Sequence, residues 1–580
     1  MYIETIPNRQ SRPTILLRQG WREGKKVRRR TVANLTHWPT AKLEALRRLL
    51  RDEPLASPQR VFVVEHTLPH GAVEAIVGTM RQSGLDTLIA STPCRERQLV
   101  LAMIAERLIH PSSKLGTTRL WHTTTLAEEL GVANADEDAL YDAMDWLLAR
   151  QGRIERKLAQ RHLTPGAHVL YDVTSSYYEG RTCPLACFGY NRDQKRGKLS
   201  LVYGVLTDRD GRPVAVEAYR GNTADPRTIP DQVAKLRTRF GLTQVVLVGD
   251  RGTLTQTQID YLKQYPGLGW IAALRFEAIR KLVETQTLDL SLLAHQPLAE
   301  STSGQVPGER LVACDTPLVA QERHRKRVAL LDATEAELAP IAREVARRTK
   351  KPLTKAEIGQ KVGRVLHHYH MAKHFEIQID DGLCRYARRP ASLQREAEMD
   401  GISVIRTSEP CERLSAEDTV RGYKNLAVVE RLFRTLKGID ILVRPMHHHQ
   451  AKRVRAHIFL CVLAYYVEWH MRKALAPLLF DDEALVDNRL IRDPVAPAQP
   501  SAAAQRKKTV RLTADGLPIH SFDTLLAALG TRCRIRCRIT SDPSSPAFYQ
   551  HTEPTPLQRQ ALQLLGIVLP VTGNSLSPEP

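Results

Sequence analysis

The sequence predicts an α/β protein built on a mixed sheet, and three stretches carry that reading. "HVLYDV" (His168–Val173) reads as a strand, and "KLSLVYGVLTDRDGRPVAVEAYRG" (Lys198–Gly221) as two β-rich runs around the turn "DRDG". "QVVLVGD" (Gln244–Asp250) is a short continuous apolar run, the pattern of a strand buried on both faces. Helical segments separate the later strands. "DPRTIPDQVAKLRTRF" opens with Asp and Pro and keeps helical periodicity, and a helix-like segment over Thr255–Gln264 precedes the buried run "LGWIAAL" (Leu268–Leu274). The order strand, hairpin, helix, strand, helix, strand gives a five-stranded sheet in which an antiparallel meander feeds parallel strands through helical crossovers.

The chain has 580 residues, room for two to four domains. Its 84 Lys and Arg against 63 Asp and Glu leave a net charge of +21. A field of that sign favours a polyanion, of which nucleic acid is the commonest, over the competing reading of a merely basic soluble protein. Residues 1–50 carry 12 basic against 3 acidic residues, concentrated in "REGKKVRRR" (Arg22–Arg30). Nine cysteines and no secretory leader predict a reduced, cytoplasmic setting. "CPLAC" (Cys183, Cys187) and "CRIRC" (Cys533, Cys537) have three residues between the cysteines rather than two. The clusters "HHYHMAKH" (His367–His374) and "HHH" (His447–His449) lack partners at ligand spacing, so structural zinc is not expected. The longest apolar run, "IFLCVLAYYV" (Ile458–Val467), falls short of the roughly twenty residues a bilayer requires and reads as a core helix.

Along the chain, residues 1–60 read as a basic β-hairpin unit, with two extended runs around a Gly-containing turn in "TILLRQGWREGKKVRRRTVANL". Residues 91–165 turn helical in "ERQLVLAMIAERLI" and "DALYDAMDWLLARQ", either as a DNA-binding module or as a packing or dimerisation element. Residues 166–275 hold the strands named above. Residues 276–420 break their rhythm with hairpin-like runs ("ERLVACDTPLVAQ", "HFEIQI", "DGISVIRTS") and a charged helix around Glu335–Thr349, and read as a β-rich insertion. Helices resume over 421–478. A linker rich in Asp, Pro, Ala and Lys covers 481–515, and a small tail covers 516–580.

Two acids occupy comparable places. Asp172 closes the apolar run of the first strand, and Asp250 follows "VVLVG". Reactive groups gather at the carboxyl ends of strands in α/β sheets. If the two strands are neighbours, these carboxylates face each other, and one is protonated unless a cation holds both. A divalent metal suits such a site, and two ions about 4 Å apart clamp the attacking and leaving oxygens of a phosphoryl transfer. The competing reading of either Asp alone is a strand-end turn former. In "YKNLAVVERLFRTLK", Tyr423, Glu430 and Lys437 are spaced by seven, a drift of only about 20° per heptad, so they share one helical face. Leu426 falls on the same side, Arg434 lies one turn after Glu430, and Val428, Val429, Leu432, Phe433 and Leu436 supply apolar packing. An ordinary amphipathic helix with an i,i+4 Glu–Arg pair is the alternative.

With these residues in view the chain resembles a DDE transposase of bacterial insertion sequences, in the branch whose third acid lies on a Tyr–Arg–Glu–Lys helix. That signature is Tyr, two residues, Arg, three residues, Glu, six residues, Lys. Tyr423, Glu430 and Lys437 match it in register, and Leu426 stands at the Arg position, with Arg431 or Arg434 as the substitute. The first acid matches Asp172 in "YDVTS" and the second Asp250 in "GDRG". The resemblance covers residues 165–475, and less specifically the hairpin "GKKVRRRTVANL" and the tail "PTPLQRQALQLLG".

The resemblance implies a ribonuclease-H-like catalytic core in which Asp172, Asp250 and Glu430 are catalytic and bind two Mg2+ ions, Mn2+ being the alternative. One metal activates water to cut at the element's ends, and the freed 3′-OH attacks target DNA. Consistently, the sequence has no G-x-x-x-x-G-K-[ST] loop. Tyr423, Arg434 and Lys437 are the implied phosphate contacts beside the scissile bond. Arg444, Lys452 and Arg453 are further backbone contacts without base readout. The implied partners are double-stranded DNA, both terminal inverted repeats and target, and a second copy of the chain to pair two ends. No membrane is involved, and the expected place is the nucleoid of a bacterial cytoplasm. Two other readings remain: a different metal-dependent nuclease on the same fold, which cuts without joining, and an inactive transposase-derived DNA-binding protein.

Overall fold

Val245–Val248 is a run of three valines and a leucine with every side chain buried, and it lies inside an eight-stranded mixed sheet. The structure, a computed structural model, describes residues 1–9, 11–52, 62–289, 293, 298–302, 308–485, 488, 493–496, 499–539 and 546–569. In chain order the strands of the sheet are β1 (His168–Tyr177), β2 (Ser200–Thr207), β3 (Pro213–Arg220), β4 (Val245–Val248), β5 (Leu268–Ala273), β6 (Leu298–Thr302), β7 (Arg310–Asp315) and β8 (Ile402–Thr407). They lie in the order β6-β7-β8-β5-β4-β1-β2-β3. β4 is parallel to both β1 and β5, and every other neighbouring pair is antiparallel.

The expected strands are β1–β5, but the sheet does not stop at five. Three strands from the region expected as an insertion continue it beyond β5, through the antiparallel pairing Ile405↔Ala273 and Thr407↔Ile271. The physical reason is the edge: an unpaired β5 would leave its backbone N–H and C=O groups open.

Residues 276–420 are also not β-rich. They hold the helices Phe276–Glu284, Pro317–Arg347, Lys355–Tyr369 and Pro390–Ala397, alongside β6–β8 and the hairpin Phe375–Asp380/Leu383–Arg388. The run "TPLVAQ", read as extended, starts a 31-residue helix instead. Pro317 fits its first turn, where no N–H is needed. Leu331, Leu338 and Val345 recur every seven residues and bury against Ile358, Val362 and Phe375.

Helices cover the sheet. They include α1 (Arg95–Ile109), α2 (Glu137–His162), α3 (Ala416–Lys424), α4 (Leu426–Arg434) and α5 (Ala451–Leu475). The helical stretch before β1 starts earlier than expected, at Gly71. α2 is capped by Asp136, whose side chain accepts the Ala139 N–H at 2.9 Å. Its buried Glu155 accepts the Val216 N–H of β3 at 3.1 Å and the Arg239 guanidinium at 2.6 Å, tying helix to sheet. α5 carries the apolar run Ile458–Val467 fully into the core, as expected. Among the described residues no helix is long and apolar enough to cross a membrane.

Two units make up the chain. The body just described spans residues 71–530 and 555–568. It includes the helix Pro556–Leu564, capped by a box of Thr555 and Gln558 and packed on α5. The smaller unit holds a three-stranded sheet (Tyr2–Ile6, Thr14–Glu23, Lys26–Asn34), one strand more than the hairpin expected, and the helix Thr40–Leu49. Gly24 takes the left-handed conformation (φ 62°) that the tight turn between the second and third strands requires. A second sheet in this unit pairs Phe62–Pro69 with Cys533–Ile539, which pairs in turn with Phe548–His551. The expected tail is therefore shared between the units. The expected linker 481–515 contains the helix Ala502–Val510, capped by Ser501. Its residues 486–487, 489–492 and 497–498, together with 53–61, 540–545 and 570–580, lie outside the described residues.

Candidate active site

The register of β1 against β4 pairs His168 with Val246, Val169 with Leu247 and Leu170 with Val248. Two residues beyond Leu170 stands Asp172, and two beyond Val248 stands Asp250. Side chains alternate with period two along a strand, so both acids project from the same end of two adjacent parallel strands. Asp250 also shapes its own turn: its Oδ1 accepts the N–H groups of Gly252 at 3.1 Å and Thr253 at 2.7 Å. Asp172 accepts the Val173 N–H at 2.7 Å. Burial pushes the Asp172 carboxyl up to about 7. The charge of Asp250 adds to this, while the Val173 N–H and Arg192 oppose it. Two neighbouring carboxylates favour either a shared proton or a bound cation.

The third acid arrives on α4. α3 and α4 follow one another with only Asn425 between them, in right-handed helical conformation, so they form one nearly continuous rod. Gly422 lets α3 approach the sheet: a Cβ there would meet Ile271 of β5 at 3.0 Å and the His168 ring of β1 at 3.3 Å. The next residue, Tyr423, is thereby set beside the carboxylates. Burial pushes its phenol up to about 12, and the negative charges of Asp250, Asp172 and Glu430 push the same way against Arg251. Tyr423 thus lies in the field of all three acids. Glu430 itself is exposed on α4, while Leu426, Val429, Leu432 and Phe433 are buried. Phe433 meets Tyr203 of β2 edge to face, centroids 6.0 Å apart. Leu426 therefore packs inward rather than sharing the polar face. Among the described residues no three His, Cys, Asp or Glu side chains stand close enough to hold one ion together. The site offers the Asp172–Asp250 pair as its clearest cation seat, with oxygen donors that suit a hard divalent ion.

The basic residues expected at DNA take varied places. Arg434 is exposed on α4. Lys437 lies in a π-helical turn, Thr435–Ile439, and donates to Asp193 at 3.1 Å and to the Ser175 carbonyl of β1. Arg444 donates to the same Asp193 carboxylate. Lys452 pairs with Asp145 of α2 at 2.7 Å, and Arg453 lies 4.4 Å from the centroid of the Tyr141 ring, also of α2.

Asp193 was not among the expected residues. Its other oxygen accepts the Tyr177 N–H at 3.0 Å, and its side chain is only 4 % exposed. Burial pushes its carboxyl up, but the bonds from Arg444, Lys437 and the Tyr177 N–H outweigh burial and hold it below its ordinary range. Its neighbour Arg192 pairs with Asp225, and both lie within the field of Asp172. The only sequence signal here is the turn at Asn191, whose side chain accepts the Asp193 N–H at 2.9 Å.

The family model described as the transposase DDE domain matches residues 165–467. That described as the N-terminal domain of IS1634 family transposases matches residues 3–58. Among solved structures, the chain is similar to a piggyBac transposase, determined by cryo-electron microscopy as a synaptic complex with hairpin DNA. The two are 10% identical, the match covers 88% of this chain and 85% of that one, and the TM-score is 0.33. No curated protein matches the chain.

Proposed function

Since the chain belongs to the DDE transposases of insertion sequences, we propose that it cuts DNA at the ends of such an element and joins them to target DNA by divalent-metal-dependent exchange of phosphodiester bonds. The observation that carries this reading is the Asp172–Asp250 pair on neighbouring parallel strands, with Tyr423 in the field of both and of Glu430. The strand order β5-β4-β1-β2-β3, with its antiparallel meander and two parallel strands, supports a ribonuclease-H-like core.

In this reading the Asp172–Asp250 pair would seat the divalent metal, Mg2+ by the hardness of its oxygen donors, and Glu430 on α4 would be the third acid. When bound, such ions supply an activated water and charge stabilisation at the scissile phosphate. The chain's own residues orient the DNA. Tyr423 keeps its phenol protonated and so can donate a hydrogen bond to a phosphate oxygen. Arg434, exposed one turn after Glu430, offers a guanidinium to the backbone. Lys437 and Arg444 act through Asp193, fixing the π-helical turn against β1. Lys452 and Arg453 extend the basic surface along α5. Two copies of the chain bring two ends together.

A strand-transfer assay tests the reading, using full-length protein, duplex DNA bearing the inverted repeats that flank its gene, and Mg2+. Joined products support it. Nicked but unjoined products would reassign the protein to the metal-dependent nucleases, and binding without either product would leave it a DNA-binding protein.

A further inference from the structure

We propose that Phe188 and Tyr190, on the loop between β1 and β2, form a stacking platform for an unpaired DNA base beside the Asp172 carboxylate. Both rings are open to solvent, Phe188 at 71 % and Tyr190 at 79 % exposure. An aromatic side chain gains from burial, so two exposed rings two residues apart on one loop offer apolar surface to an occupant.

The backbone that presents them is held on both sides. Before Phe188, Cys187 exchanges both backbone hydrogen bonds with Ser200 of β2, at 3.1 and 2.9 Å. Between the rings, Gly189 lies so close to the strand-end residue Gly221 that a Cβ would fall 2.0 Å from its carbonyl oxygen. After them, the Ser175 hydroxyl donates to the Tyr190 carbonyl at 3.0 Å and accepts the Arg192 N–H at 2.9 Å. Asp193 closes the loop on Tyr177. The rings are thus exposed on an anchored loop, not left loose on a mobile one.

Position and charge select the occupant. Lys437, on the turn that follows the Glu430 helix, donates to the Ser175 carbonyl and to Asp193, the two residues that anchor the loop, so the loop borders the site. The Arg192 guanidinium stands 5.6 Å from the Tyr190 ring, and Arg181, Lys195 and Arg196 are exposed on the same loop. Aromatic rings among cations suit single-stranded nucleic acid, because every base has a π-face and every nucleotide a phosphate. A base offers that face only once it has left the duplex stack. The inference rests on the transposase reading, which places a broken strand at the Asp172 carboxylate, and deepens it by naming what holds the freed nucleotide.

The test uses full-length protein without divalent cation, so that no strand is cut, and two terminal-repeat DNAs: one fully paired, one with a short overhang whose first unpaired base is 2-aminopurine. The wild type is expected to quench the 2-aminopurine. Tyr190→Ala and Phe188→Ala are expected each to weaken overhang binding about tenfold, in line with the loss of one base–ring stack. Binding of the paired duplex stays unchanged, and Tyr190→Phe retains the wild-type behaviour. Unaltered fluorescence and overhang affinity in the double variant Phe188→Ala/Tyr190→Ala would overturn the platform while leaving the transposase reading intact. So would an equal loss on both DNAs. If the wild type binds neither DNA, the transposase reading fails and the platform fails with it.

Discussion

Lys437 and Asp193 stand 244 positions apart in sequence and form a buried ion pair at 3.1 Å. Arg444 completes it from the other side. The basic group at the end of the Tyr–Glu–Lys register is therefore spent on holding the π-helical turn to β1, three residues beyond the first candidate acid. Removing one partner of such an arrangement leaves a desolvated charge behind, which costs more than the pair contributes. Asp193→Ala is expected to destabilise the protein by about 3–5 kcal/mol in urea unfolding. Asp193→Asn, which still accepts hydrogen bonds, should cost less. A silent Asp193→Ala would mean that the two cations find water instead.

Asp172→Asn and Asp250→Asn preserve shape and remove charge. Each is expected to lower DNA cleavage about 10³-fold or more, as loss of a residue acting within a catalytic unit does. In metal-free buffer neither should unfold earlier than the wild type, since one of two neighbouring like charges is gone. Cleavage assays and thermal melts read the two effects separately.

Glu106 sets a pH dependence of stability unconnected with the site. It is buried on α1, one carboxylate oxygen lying 3.2 Å from the His110 ring and the other without a partner among the described residues. Burial pushes its carboxyl up to about 8, with Arg107 opposing. The folded protein therefore binds this proton more tightly than the unfolded chain does. The contribution is full below pH 4.5 and is lost as pH rises through about 8. Melting temperature should fall across that window in the wild type and fall less in Glu106→Gln. Parallel curves for the two proteins would count against the assignment.

Arg310 joins the strands of 276–420 to the helix that positions Tyr423. From β7 it donates to Glu300 at 2.8 Å, to the Glu409 carbonyl at 3.2 Å and to the Thr419 hydroxyl of α3 at 3.1 Å. Arg310→Met leaves buried acceptors unsatisfied, at about 1–3 kcal/mol. Cleavage should drop further than the lost stability explains, because α3 carries Tyr423. Activity in proportion to the folded fraction would refute that link.

Much of the core was legible because its signals are local. "VVLV" and "LGWIAA" are continuous apolar runs, and β2 and β3 flank a Gly-containing turn, so strand type and order followed from neighbours in sequence. The pairing of Asp172 with Asp250 was legible only conditionally, on the two strands lying side by side. The extension of the sheet by β6–β8 was not legible, since a strand's place in a sheet depends on a partner edge: β8 meets β5 across 132 to 136 positions. "TPLVAQ" misled because its apolar residues fit a strand and the first turn of a long helix equally well. Asp193 was missed for the same reason as β8: its meaning lies in Lys437 and Arg444, far along the chain. Lys437 and Arg444 were read as DNA phosphate and backbone contacts, with no sign of their shared partner Asp193, because charge is visible in a sequence and its counterpart is not.

The antiparallel pairing of β8 with β5 also bears on what becomes of shortened copies of the chain. A polypeptide ending before Ile402 would retain Asp172, Asp250 and the basic residues 1–50, yet leave Ile271–Ala273 of β5 as an open edge. Such edges recruit strands from other molecules. Truncated products are therefore expected to be cleared by self-association rather than to persist as soluble competitors for the same DNA.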